Sequence, residues 1–553
     1  VSHAAGRDAP APSTGPAPAP GAALGLSRAH IVMVLVGLMV IGAVLRSYRL
    51  GYQSLWNDEV VTWISAQGSP WNIATQRVEN SNIPPLYYLV AGASLPLSRT
   101  LGVEAALRAP SVLVGVLSIP LLFLVVRAWL DERVALLAAA AMTVSPFHVW
   151  YSQEARPYAL LLFLSLIAIY CLQQALARPG RWEWKAATAV TAAATFYCHT
   201  VGVAFMAFVV VYVGIATRHA DPVLPRDAGV QTPLPQPWRE RVQGWIAAFV
   251  VMVVLCLPGI YRLASFPPTE SADSGRSFSP IQFGYALWSF AVGYSYGPSL
   301  DELHRPDRTA LLLHSAVTVV PVGILVVVVT ALGIRALARR FPAGRVPVAL
   351  WLVFPVAFAA VGALVTVHPF NVRYTIISFL PALVLIVVGV DALPGRSLRA
   401  ATWIAMAAVS AVSLLGYYTN PRYARDDYRG AAAFLTAHGG TGAVVIVHRA
   451  FTVKDLRFYA PSATHLMPFP RARRPGEQLT PMAELAALVE GQDHVWLLLS
   501  RATPDEDAPI TAFLARGFRR TDSFVSSGVE LYEYERTSAA PGAPTAPASP
   551  ATP

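Results

Sequence analysis

Residues 106–127, ALRAPSVLVGVLSIPLLFLVVR, decide the fold. An apolar run of this length closed by an arginine is enough for a bilayer-crossing helix, which needs about 20 residues. Outward from it, further apolar runs fall near 30–45, 134–148, 157–176, 186–198, 200–217, 244–261, 309–333, 347–367, 374–391 and 400–418. Together they predict a polytopic α-helical membrane protein of about eleven spans, the shorter ones borrowing length from their flanks. The pair around His199 reads either as two short helices or as one long one. Composition agrees: 55% of the 553 residues are hydrophobic and 13% charged, which excludes a single water-soluble globule.

The formal charge of +10 comes from 42 basic and 32 acidic residues. The arginines gather in short clusters between the apolar runs, as a positive-inside topology requires, and not as a nucleic-acid footprint. Arg127 with Arg133, Arg178 with Arg181 and Lys185, Arg218 to Arg241, Arg335 to Arg345, and Arg396 with Arg399 occupy alternate connections, which are expected to be cytoplasmic. The amino terminus is then inside, with the first run a retained span. The loop 46–105, the corner 148–157, His199, the loop 262–308, the corner 367–373 and everything after about 419 are outside. The two lysines, Lys185 and Lys454, follow no GxxxxGK pattern, which argues against direct ATP-driven transport. Cys171, Cys198 and Cys256 lie inside apolar runs at spacings that fit no zinc or redox motif and read as packing residues.

Four segments follow: an Ala/Pro-rich cytoplasmic tail (1–28), a transmembrane domain (29–418), a small extracytoplasmic α/β domain (419–536) and a second Ala/Pro-rich tail (537–553). Within the first outer loop, PPLYYLVAGASLPLSRTLG reads as an interfacial helix. In the α/β domain, DDYRGAAAFLTAHG and PMAELAALVEG read as helices, AVVIVH and HVWLLLS as strands, and FVSSGVELYEYE as a terminal hairpin. Its Gly439–Gly442 run is a helix-end turn and not a dinucleotide fingerprint.

Every outward corner carries polar residues that a plain loop does not need. Asp58 and Glu59 are adjacent acids beside Trp56 and Trp63. One of them could accept a proton from an acceptor hydroxyl; the ordinary account is a helix start with acids in its first turn. They could also hold Mg²⁺ or Mn²⁺, although no histidine-rich ligand set accompanies them. The corner SPFHVWYSQEARPY places Glu154 and Arg156 two residues apart, with Tyr151 and Gln153 beside them. Arg156 could hold a phosphate through its planar fork, with Glu154 orienting a sugar hydroxyl, or the two could simply pair. His199 is a pocket candidate or a packing histidine. At the last corner, His368 precedes the helix-breaking Pro369, and Arg373 with Tyr374 offers a second phosphate anchor, or an arginine snorkelling to the interface. Tyr87 joins this substrate-binding set.

The patterns LWNDEVVTW, NIPPLYYLV, ALRAPSVLVGVLSIPLLFLVVR, SPFHVWYSQEARPYALLLFL, YCHT and NVRYTIISFLPALVLIV, in this order, resemble the GT-C membrane glycosyltransferases. Within them the chain looks most like the bacterial branch related to protein O-mannosyltransferases and lipid A aminoarabinose transferases. The resemblance covers about residues 30–418. It implies use of a polyprenyl-phosphate sugar at the outer face of the plasma membrane, with Asp58 as catalytic base and Glu59 beside it. It also implies that Glu154 is the acid of the second outer loop and that Arg156 and Arg373 recognise the donor phosphate. The first outer loop has no lysine, unlike the aminoarabinose enzymes, and no lectin-like insertion is present, which leaves donor and acceptor open.

The expected function is therefore inverting transfer of a sugar, mannose before arabinose, to a protein, glycolipid or polysaccharide acceptor at the outer face of a bacterial plasma membrane. The rival is a transporter or flippase of lipid-linked sugars, which inverted repeats or mid-membrane charges would favour; neither is visible. A membrane scaffold would explain residues 419–536 but not the polar corners.

Overall fold

The computed structural model describes residues 26–75, 84–218, 238–265, 279–303, 308–365, 370–439, 443–460, 465–471 and 481–537. The expected tails and His368 lie outside the described residues, apart from the tails' inner ends.

All eleven apolar runs fall on helices. Among the described residues, eight helices are long and apolar enough to cross a membrane, and the pair Glu132–Val144 and Pro146–Ser152, bent by 59° at Ser145, makes a ninth. The two helices around His199, Trp182–Cys198 and Gly202–Arg218, have 17 residues each. They are separate because the backbone turns extended at His199, and Gly202 sits against the Thr195 and Phe196 backbone where a Cβ would collide. The segment 262–308, which reads only as a long loop, contains the helix Ile281–Val292, whose Ala286, Ser289, Phe290 and Val292 pack inward. At 12 residues it is too short for a length-based reading to find.

Burial sorts the helices. Phe379–Asp391 is enclosed, with Phe379 to Val390 all buried. Val36, Val317 and Ile404 of the peripheral helices instead face outward, an arrangement that suits hydrocarbon and not water. The central helix meets Arg308–Arg340 through two glycines: Gly333 abuts the Leu385 carbonyl and Gly389 the Val329 carbonyl, with no room for a Cβ on either. Small residues permit such close backbone approach, which is how helices pack without a hydrophobic drive between them.

The two ends of the bundle differ chemically. At one end Arg133 and Arg340 both reach Asp391, at 2.9 and 3.8 Å, which draws the arginine-rich connections together. At the other lie the loop after the first helix, the corner 153–157, residues 370–374 and the segment after Thr419. The helix expected in the first loop is present as Leu86–Ser94, with Tyr87, Tyr88 and Ala91 buried against the bundle.

The carboxyl-terminal domain is a five-stranded sheet with order β2-β1-β3-β5-β4, built from β1 (Val444–His448), β2 (His465–Phe469), β3 (His494–Ser500), β4 (Phe518–Ser526) and β5 (Val529–Arg536). β1 runs parallel to β2 and β3, and the β4–β5 hairpin adds antiparallel to β3. Along β3, Trp496 and Leu498 pack with Tyr428 and Leu456 on one face, and Leu497 and Leu499 with Leu485 and Ile510 on the other. A strand buried on both faces reads as a continuous apolar run, as HVWLLLS does. β2 and the helices Val453–Tyr459 and Pro504–Leu514 escape the sequence reading, being short or rich in charge. Gly439 ends the helix Tyr428–His438 as expected; residues 440–442 are outside the description.

Candidate functional site

The short helix Asn57–Ser65 starts without a capping side chain on Trp56, and its first turn carries Asp58 and Glu59. Successive helical residues point about 100° apart, so the two carboxylates face different surroundings. Asp58 stays 28% exposed. Its Oδ2 accepts from Arg373 Nη1 at 2.8 Å and lies 3.6 Å from Arg156 Nη2, while Arg156 Nη1 donates to the Asp58 backbone carbonyl at 3.1 Å. Burial by itself would raise the Asp58 carboxyl, but Arg156 and Arg373 outweigh it and hold the group below the ordinary carboxylate range.

Glu59 is wholly enclosed. Arg108 donates Nε to Oε1 at 2.8 Å and Nη2 to Oε2 at 2.6 Å, Ala155 N donates to Oε1 at 2.8 Å, and Arg425 Nη1 lies 2.9 Å from Oε1. Burial raises this carboxyl, and the two guanidiniums with their hydrogen bonds overcome it, bringing it down to about 2. The idea that Asp58 and Glu59 jointly hold Mg²⁺ or Mn²⁺ does not fit this donor set. Both Glu59 oxygens are filled by N–H donors, and cations already surround Asp58. Among the described residues, no group of three or more His, Cys, Asp or Glu side chains is placed to hold a metal ion.

The corner after Ser152 closes the site. Glu154 is 2% exposed and its Oε2 has no hydrogen-bond partner. Burial raises its carboxyl to about 7; Arg425 pulls it down and Glu59 pushes it up. His199 is buried with its ring 5.7 Å from Tyr158 and 6.0 Å from Tyr374. Burial, followed by Arg156 and Arg373, pushes its imidazole down to about 3. Val201 N donates to its Nδ1 at 3.2 Å, so the neutral ring carries its proton on Nε2.

Three further residues expected to contact substrate have partners within the protein. Gln153 Nε2 donates to the carbonyls of Leu45, Arg46 and Tyr48 at 3.3, 2.9 and 2.8 Å, closing the carboxyl end of the first helix. Tyr87 is enclosed, with its hydroxyl 2.8 Å from Ser111 Oγ and donating to the Glu154 carbonyl at 3.4 Å. The Tyr151 hydroxyl meets that of Tyr294 at 2.9 Å. All three brace the corner from behind.

Sequence reading missed Arg108 and Arg425. An arginine at the head of an apolar run must be paired or working, so the ALRAPS of the second span carried a usable signal. Arg425 stands just before the segment DDYRGAAAFLTAHG that reads as a helix, where nothing marks it for burial, yet it is buried over the Trp150 ring, 5.3 Å from its centre. Its Nε and Nη2, together with Glu154 Oε2, Arg156 Nε and Trp56 Nε1, are buried without hydrogen-bond partners. Such atoms are rare in folded proteins, and here they cluster about Asp58 and its neighbours.

Residues 82–224 match the family model described as dolichyl-phosphate-mannose-protein mannosyltransferase. The structure is similar to ArnT from Cupriavidus metallidurans in the apo state, with a TM-score of 0.56 and 15% identity over 91% of this chain and 98% of that one. It is also similar to the same protein bound to undecaprenyl phosphate, at 0.52 and 16% over 92% and 98%. The Archaeoglobus fulgidus oligosaccharyltransferase in complex with Zn and sulfate gives 0.51 and 12% over 91% of this chain and 73% of that one. No curated protein sequence matches the chain. The fold is thus that of the GT-C membrane glycosyltransferases, an ArnT-like helical bundle with a small carboxyl-terminal sheet domain.

Proposed function

We propose that this chain is an integral membrane glycosyltransferase that moves one sugar from a polyprenyl-phosphate donor to an acceptor hydroxyl at the outer face of a bacterial plasma membrane. One observation carries the reading: a part-exposed carboxylate, Asp58, is held between two arginines, Arg156 and Arg373, at a corner lined with unpaired polar atoms. Two guanidiniums at one point form a phosphate site, and a carboxylate between them stands where a base must stand to reach a hydroxyl beside that phosphate. ArnT, which shares the fold, has been captured with undecaprenyl phosphate, and the matching family model names a dolichyl-phosphate mannose donor. Mannose is therefore favoured over arabinose.

The base in this reading is activated by its substrate. With Arg156 and Arg373 as partners, Asp58 is a weak base. When the donor phosphate takes over those guanidiniums, Asp58 loses its cations and gains a like-charged neighbour, and both changes raise its proton affinity. Asp58 then accepts the acceptor O–H proton and the freed oxygen bonds to the anomeric carbon. The bond from that carbon to the phosphate oxygen breaks, its electron pair leaving with the polyprenyl phosphate, which the arginines stabilise. One displacement inverts the anomeric centre. Glu154 Oε2 and the His199 Nε2 proton offer an acceptor and a donor to sugar hydroxyls. Glu59 serves by position, fixing the turn that carries Asp58. The arginine-rich end of the bundle, with Arg133 and Arg340 on Asp391, is the cytoplasmic end, which puts the amino terminus inside and the sheet domain outside.

The test is transfer by the purified protein from a panel of labelled polyprenyl-phosphate sugars, including mannose and arabinose, with protein, glycolipid and polysaccharide acceptors and Asp58→Asn alongside. Label moving from one donor, and none with the variant, is the expected result. A donor that binds without being consumed would turn the assignment toward transport of lipid-linked sugars.

A further inference from the structure

The helix that carries Asp58 does not hold its own amino terminus. Trp56 offers no capping side chain, and the residues that lead into the first turn are tied to groups from beyond the last span. Asn57 Nδ2 donates to Asp455 Oδ2 at 2.8 Å, and Leu55 N donates to the Tyr459 hydroxyl at 2.7 Å. Ser54 Oγ donates to the Asp426 carbonyl at 2.6 Å, and the Trp63 ring meets Phe458 edge-on at 4.7 Å. The segment on both sides of Asp58 is therefore gripped by residues 426–459.

Asp455 is the costly member of this grip. It lies wholly buried at the seam, with Oδ1 unpartnered and Oδ2 taking a single neutral donor. A buried carboxylate so poorly satisfied weakens a fold unless it serves a purpose. Within the described contacts, its hydrogen bond goes to the neighbour of Asp58.

Resting on the reading of Asp58 as the base, we propose that Asp455, acting through Asn57, is a positioning residue for Asp58, so that the helix Val453–Tyr459 completes the catalytic centre and is not part of a separate appended module. A base misplaced by about 1 Å loses on the order of 100-fold in rate. The donor phosphate anchors Arg156 and Arg373 sit on other elements and are untouched by this contact.

The experiment uses the full chain in detergent with labelled polyprenyl-phosphate mannose, or whichever donor of the panel is consumed, and the acceptor that panel selects. Asp455→Ala is expected to lower kcat by about 10- to 100-fold while donor Kd stays within about threefold. Asp455→Asn, which keeps an acceptor oxygen for Asn57, recovers most of the loss. Asn57→Ala matches Asp455→Ala, and the double variant is no worse than either single one. Amide hydrogen exchange over residues 55–60 is expected to quicken in Asp455→Ala and Tyr459→Phe. Wild-type kcat in Asp455→Ala, multiplying effects in the double variant, or unchanged exchange would overturn the proposal. Asp58→Asn in the same series separates the two claims: if it still transfers sugar, the base assignment fails, whatever exchange shows at the seam.

Discussion

Asp58 Oδ2 lies 2.8 Å from Arg373 Nη1, although 315 positions separate the two residues. The bond joins the loop after the first helix to the turn that enters the central helix, and it makes the proposed base and a proposed phosphate anchor one pair. The two halves should therefore respond differently to substitution. Asp58→Asn removes an anion that competes with the donor phosphate, so donor Kd stays the same or tightens while kcat falls by about 10²- to 10⁴-fold. Arg373→Ala instead weakens donor binding. Equilibrium binding of a labelled polyprenyl phosphate beside single-turnover transfer distinguishes them, and weakened binding in Asp58→Asn would count against the swap of partners.

Glu59 and Arg108 form a pair of the opposite kind, with side chains 0% and 2% exposed. Breaking such a pair strands a charge in the interior. Arg108→Met is expected to destabilise the protein by about 3–5 kcal/mol, seen as a lowered thermal unfolding temperature in detergent. A much smaller effect would show that Arg425 alone suffices to hold Glu59.

Stability should depend on pH in two separate windows. Burial raises Glu154 and Asp455 to about 7, from ordinary values of 4.5 and 3.8. For Asp455, Asn57 and Lys454 pull down, while Asp426 and Asp58 push up. Between the unfolded and folded values the native state binds more protons, so stability falls as pH rises through 7. Glu59 is brought down to about 2 from 4.5, so its contribution is full above the unfolded value and is lost only as pH falls from there through the folded value. Thermal unfolding from pH 5.5 to 8.5 should show a decline that flattens in Glu154→Gln and Asp455→Asn. An unchanged slope in both variants would refute the assignment of that window.

Orientation can be read by labelling. Val525 on β4 is 63% exposed, as is the Arg181 side chain on an arginine-rich connection, and the native cysteines are buried. A membrane-impermeant maleimide should modify Val525→Cys on intact cells and Arg181→Cys only after permeabilisation. The reverse pattern would invert the topology.

The membrane helices were legible because their signal is local. The longer apolar runs announce a span by length alone, and residues 374–391 needed no knowledge of their neighbours. The strands 443–448 and 494–500 were legible for the same reason. Ile281–Val292 was not, because its 12 residues fall short of the length by which an apolar run announces a span. At the site, the residue types at the corners pointed to Asp58, Arg156 and Arg373, and the structure brings these three together. Gln153, Tyr87 and Tyr151 carry equally suitable chemistry but point into the scaffold, a distinction that burial and partners make and residue type does not.

The sequence by itself determined the bundle, the segregation of arginine between alternate connections, the small carboxyl-terminal α/β domain and the polar character of the corners. Each follows from the solvent that a short segment requires. Only the tertiary structure decided that adjacent acids Asp58 and Glu59 have different fates, one part-exposed between Arg156 and Arg373, the other enclosed by Arg108 and Arg425. Only it showed the carboxyl-terminal domain gripping the loop beneath Asp58. The physical reason is that a charge takes its chemistry from whatever lies within a few ångströms, and here Arg108 on Glu59 and Arg373 on Asp58 come from 49 and 315 positions away along the chain.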